Sequence, residues 1–198
     1  QSHFARAGML SRRNPVVPAA AAEPNRWAAQ QSFQKETDVH LEFRRLSEIS
    51  ITDIIAVNTN SLVRREMPLW DDNFGESECR DWVEGKEKQW EEYGYGPWAF
   101  IINNKFAGWG GLQYENGDAD LGLVLHPDFW GMGKTIYDEI MKRAFGEMGF
   151  QSVTILFPPT RTRVKGILRL GFQLDGEVEL YGERFIRYRL FGPKKEIS

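Results

Sequence analysis

A single cysteine, Cys79, stands among 198 residues. An intrachain disulfide and a cysteine metal cluster are thereby excluded, so packing has to hold the fold. No stretch approaches the roughly 20 apolar residues of a membrane span. A basic surplus is also missing, since 25 Lys and Arg face 28 Asp and Glu for a net charge of −3. Residues 1–38 hold five of the basic and three of the acidic groups, leaving 20 and 25 beyond them. Without a basic stripe that remainder is a poor match for nucleic acid, whose phosphates need clustered cations. The expectation is a protein with no nucleic-acid partner, no membrane partner and no metal. A cytoplasmic location fits the lone thiol. What is present is globular: 41% hydrophobic and 27% charged residues suit one domain with a substantial core.

Residues 1–38 differ from the rest. Pro15, Pro18 and Pro24 flank an alanine run, and no hydrophobic period is sustained. Arg6, Arg12 and Arg13 among Ser and Ala resemble an organellar transit segment; a flexible extension, with a short helix over 25–34, is the plainer expectation. The domain is expected over 39–198. Alternation predicts a strand over 39–46, and Ile51, Ile54 and Ile55 predict a helix over 48–60. Residues 61–74 read as a loop or broken helix. A second helix is predicted over 76–93, with Cys79, Trp82, Val83, Lys86 and Trp90 on one face. Apolar strands at 98–102 and 105–114 flank Asn103-Asn104 as a hairpin, and 115–118 turns the chain again.

The stretch that organises the chain follows: Asp120-Leu121-Gly122-Leu123-Val124-Leu125-His126-Pro127-Asp128-Phe129-Trp130-Gly131-Met132-Gly133-Lys134-Thr135. An apolar strand runs through a glycine loop into a helix, where early amides lack intrahelical acceptors and favour an anion. Gly133-Lys134-Thr135 matches the tail of a P-loop, but Asp128 stands where the leading glycine belongs. The next apolar strand, 151–157, ends in Pro158-Pro159 and not in a magnesium-holding Asp. After it, 164–168 is a short helix closed by Gly171, and 172–180 and 184–190 form a last hairpin about Gly182.

The segment from Asp120 to Gly133, with the later helix ending in Leu170-Gly171-Phe172, resembles the GNAT superfamily of N-acetyltransferases. It is most similar to the branch that acetylates ribosomal-protein N-termini. The resemblance covers about residues 39–192. It implies a single α/β (α+β) domain with a mixed, mostly antiparallel sheet flanked by helices and splayed at the acetyl-CoA site. It implies that backbone groups of Leu123, Val124 and Leu125 pair with pantetheine. Trp130, Gly131, Met132, Gly133, Lys134 and Thr135 would then hold the pyrophosphate, with Thr160 in the turn after the next strand. The expected cosubstrate is acetyl-CoA. The expected acceptor is a primary amine, on a protein N-terminus or a small molecule, attacking directly. Asp120 matches the acidic residue the branch often has before the strand glycine and is the first choice of base. His126 has a suitable unperturbed pKa but precedes Pro127, as a turn residue would. The Tyr that many members place before Leu-Gly-Phe is Ile167 here, which leaves Tyr181 as a substitute acid. That departure keeps open a noncatalytic acyl-CoA-binding sensor on the same fold. A homodimer is a further option.

Overall fold

The computed structural model describes residues 39–67 and 73–193. The expectations for residues 1–38 and for the stretch around Trp70 lie outside the described residues. The first strand, β1 (Leu41–Arg44), leads through a 3-10 turn (Leu46–Glu48) to α1 (Ile51–Asn58) and the short α2 (Ser61–Arg64). The long α3 (Glu76–Tyr93) precedes the meander β2 (Pro97–Ile102), β3 (Lys105–Glu115) and β4 (Asp118–Leu125). A 3-10 turn (Pro127–Met132) then runs into α4 (Gly133–Lys142), which ends in one π turn (Arg143–Glu147). β5 (Ser152–Phe157), α5 (Lys165–Arg169), β6 (Gln173–Leu180) and β7 (Glu183–Phe191) follow.

The strands form one sheet in the order β1-β2-β3-β4-β5-β7-β6. Two-residue turns set the meander: Asn103 and Asn104, then Asn116 and Gly117, all take positive φ, the twist that tight hairpins need. β4 and β5 are parallel, because α4 carries the chain back across the sheet. β7 inserts between β5 and β6, an order the sequence pattern did not specify.

Helices cover both faces. On one, Ile136 and Ile140 of α4 pack on Phe100, Leu112 and Leu121; on the other, Ile54, Cys79 and Val83 pack on Ala99 and Trp109. β2 is buried along its whole length, as a strand sandwiched on both faces must be. Cys79 is fully enclosed, and burial raises its thiol pKa, which fits a packing role. Gly110 serves the seam between β3 and β4. Its φ is +149°, and a Cβ there would lie 2.3 Å from the Gly122 carbonyl oxygen, so only glycine lets β4 come this close.

Candidate active site

β4 pairs with β3 over eight residues, from Asp118 to Leu125. With β5 it pairs at one position only, Asp120 opposite Thr154. Beyond that rung the two strands part. A cavity of about 400 Å³ opens there, with Asp120, Leu123, Ile155 and Phe157 among its walls. A second cavity, of about 290 Å³, follows β4 toward its end and is lined by Leu123, Val124, Leu125, Trp130 and Gly133. Glu66, Met67, Leu123 and Arg161 line both, so the two chambers adjoin along β4.

Asp120 sits at the fork. Alternation along β4 buries Ala119 and Leu121 against α4 and turns Asp120 to the other face, beside the cross-strand Gln113. The carboxylate is walled by protein, and burial pushes its pKa up to about 8. The Thr154 hydroxyl opposes this by donating to Asp120 Oδ1 at 3.1 Å. Glu115 and Asp118 add a smaller upward push. A carboxylate held near neutrality in this way suits proton transfer.

Tyr181 shares the larger of these two chambers with Asp120. It occupies the tip between β6 and β7 with φ +54°, next to Gly182 at +78°. An aromatic residue rarely takes this left-handed conformation, so the hairpin holds Tyr181 there at a cost in strain. Its side chain is largely exposed, and the nearby Glu115 charge, with a smaller push from desolvation, raises its pKa.

Other expected residues lie elsewhere or differ in state. His126 does not join Asp120; it lines a separate cavity with Asp53 and Phe129. Its Nδ1 accepts from the Asp128 amide at 3.2 Å, so the imidazole caps the 3-10 turn that Pro127 begins. The expected open glycine loop is that turn. Its coiling uses the Gly133 amide, which donates to the Trp130 carbonyl. Trp130 donates its indole N–H to the Leu125 carbonyl at 3.0 Å, pinning the turn to the end of β4. Met132 packs toward the core. Lys134 is exposed and paired with Asp138 at 2.6 Å, not free over the turn. Thr135 and Thr160 are exposed, and it is the neighbouring Arg161 that lines both chambers.

Gly131 and Gly133 test whether this wall suits a phosphate-bearing ligand. Neither has a positive φ, and an added Cβ would meet nothing within 4 Å at Gly131 and only a Leu123 methyl at 3.8 Å at Gly133. Neither backbone conformation nor internal packing requires glycine here. The free space in front of both is what a closely approaching ligand needs.

Sequence reasoning missed Thr154, at the rung of the fork, and three groups of the larger cavity. Thr154 was signalled only by one hydroxyl inside an apolar strand. Lys86, Gln113 and Glu115 come together because α3 lies across β3: Lys86 Nζ donates to Gln113 Oε1, 27 residues away. Burial pushes the Lys86 pKa down to about 8, against an upward pull from Glu115. Among the described residues no group of three His, Cys, Asp or Glu is arranged to hold a metal ion, and no helix is long and apolar enough to cross a membrane.

Comparison with known proteins gives the same outline. An acetyltransferase from Agrobacterium tumefaciens superposes with a TM-score of 0.60 at 15% identity, over 91% of this chain and 99% of its own. A GCN5-related N-acetyltransferase from Brucella melitensis also gives 0.60 at 15% identity, over 79% and 77%. A candidate ribosomal-protein-serine acetyltransferase from Vibrio cholerae gives 0.56 at 18% identity, over 76% and 93%. At these identities the likeness is one of fold. The family model described as an acetyltransferase (GNAT) domain matches residues 40–173, and with that match over most of its length the chain belongs to the GNAT acetyltransferase family.

Proposed function

We propose that the protein moves the acetyl group of acetyl-CoA to a primary amine by direct attack, with Asp120 accepting the amine proton directly or through water. The observation that carries this is the fork: one rung between β4 and β5 at Asp120 and Thr154, with the chambers opening just beyond it. Acetyl-CoA supplies an activated acyl group on a good leaving thiolate. Leu123, Val124 and Leu125 would hold its pantetheine arm along the unpaired edge of β4, and the open wall at Gly131 and Gly133 would take its phosphates.

Amine attack needs the unprotonated nucleophile. Asp120, with a pKa near 8, is partly ionised at neutral pH and strong enough as a base to take the proton when it is. Thr154 holds the ionised carboxylate by its hydrogen bond. Tyr181 is the candidate to return a proton to the leaving sulfur, since it lines the same cavity as Asp120. The acceptor is an amine on a protein N-terminus or a small molecule. A reducing, cytoplasmic setting belongs to this reading, supported by one enclosed thiol.

Calorimetric titration with acetyl-CoA, CoA and Mg-ATP, followed by assay of released CoA thiol with an amine panel, tests it. Acetyl-CoA binding with amine-dependent thiol release is the expected result. Binding without turnover over a broad panel would favour a noncatalytic sensor. Magnesium-dependent ATP binding alone would overturn the reading.

A further inference from the structure

We infer that Lys86 is a specificity residue of the acceptor site, selecting amines that carry a carbonyl or carboxylate oxygen beside the reacting nitrogen. This rests on the acetyltransferase reading above. Lys86 projects from α3 into the larger cavity. Its ammonium stands 5.6 Å from the Trp82 ring centre and 5.4 Å from that of Trp109. Among the described residues its one hydrogen-bond partner is Gln113 Oε1, and no carboxylate lies within ion-pair distance of it. Glu115 acts on it only at longer range.

An ammonium has three donors, and a buried one without a contacting anion stays costly until they are used. The indole faces recover part of that cost. The remaining N–H groups border the cavity, where a ligand oxygen can reach them.

Register puts this donor beside the proposed base. Gln113 lies directly opposite Asp120 across the β3–β4 ladder, and such partners stand about 5 Å apart at Cβ and share a face. Lys86, tethered to Gln113, is therefore one side chain away from Asp120. An amine held toward Asp120 with a carbonyl oxygen three bonds from its nitrogen presents that oxygen on the Lys86 side. A plain alkylamine leaves the ammonium unanswered, and a polyamine brings a second cation against it. The fitting acceptors are α-amino acids, their amides and peptide N-termini, which share this nitrogen and oxygen pair.

The test compares alaninamide with but-3-yn-2-amine, of similar shape but with no oxygen, by thiol release from acetyl-CoA. Free alanine and an alanine-initiated peptide separate the sources of the oxygen. The wild type should favour alaninamide, and Lys86→Met should cut its kcat/KM by about 10-fold or more beyond any effect on the alkyne amine. Acetyl-CoA affinity, read by calorimetry, should stay within about twofold for a folded variant. Should Lys86→Met fail to bind acetyl-CoA, Lys86→Gln, which keeps a neutral donor, is judged by the same ratio. An equal loss for both amines, or an unchanged ratio, would overturn the inference and leave the acetyltransferase reading intact. So would acetyl-CoA binding with no oxygen-bearing amine accepted. Failure of the wild type to bind acetyl-CoA would overturn both.

Discussion

Thr154→Val isolates the contact at the fork. Thr154 is enclosed, with 1% of its surface exposed, and valine fills nearly the same volume, so the change mainly removes the hydroxyl that donates to Asp120 Oδ1. That bond favours the ionised carboxylate. Losing a hydrogen bond to a charged group costs roughly 1.5 kcal/mol, and one pKa unit corresponds to about 1.4 kcal/mol. The Asp120 midpoint should therefore rise by about one unit from its value near 8. A base works when ionised, so kcat/KM climbs with pH through this midpoint in both proteins, later in the variant. At pH 7.5 the ionised fraction should fall roughly eightfold, with the gap closing above about pH 10. Stability runs the opposite way. The folded pKa lies above the ordinary carboxylate value of 3.8, so the folded state holds the extra proton and Asp120 lowers stability as pH rises from about 4 to 8. The measurement is kcat/KM against pH with one acceptor for both proteins, since an α-amino group itself titrates near 8 and cancels in their ratio. A ratio that stays flat across pH would remove Asp120 as the base.

Three further outcomes follow from the same geometry. Asp120→Asn should lower kcat by about 100-fold or more and leave only the alkaline rise of the acceptor amine itself, with acetyl-CoA affinity nearly kept; full activity at every pH would end its assignment. Gly133→Glu should weaken acetyl-CoA at least about 10-fold in calorimetry, because the side chain enters open space in front of the turn. Its melting temperature should stay close to wild type, and unchanged affinity would sink the wall assignment. Tyr181→Asn should raise stability by roughly 1 kcal/mol, since asparagine tolerates φ near +54° far better than tyrosine, while turnover falls several-fold. A drop in melting temperature, or unchanged turnover, would contradict the view that strain holds Tyr181 over the cavity.

Local signals in the sequence reached most of the scaffold. The helix expected over 76–93 is α3 to the residue, because its charged and apolar faces separate and Gly94, at φ +75°, stops it. Asn103-Asn104 was readable as a tight turn because both residues accept positive φ. Asp120 stood out through the family resemblance, as an acid just before the strand glycine, and it lines the cavity at the fork. Thr154 did not, since its importance depends on which residue of β4 faces it across 34 positions. Lys86 looked like one more helical position; its burial depends on how α3 crosses Trp109, a tertiary fact with no local mark. His126 offered two readings, a base or a turn residue, and its imidazole is used by its own turn.

The uneven pairing of β4 has one more consequence. On its β3 side the strand is stitched over eight rungs, and on its β5 side by one, so the sheet carries a built-in tear line between two well-knit halves. A ligand laid along that line supplies missing rungs and ties the halves together. Its binding then adds to the folding free energy by mass action, about 2.7 kcal/mol at a hundredfold excess over Kd. The resilience of such a protein to heat would track the supply of its own cosubstrate.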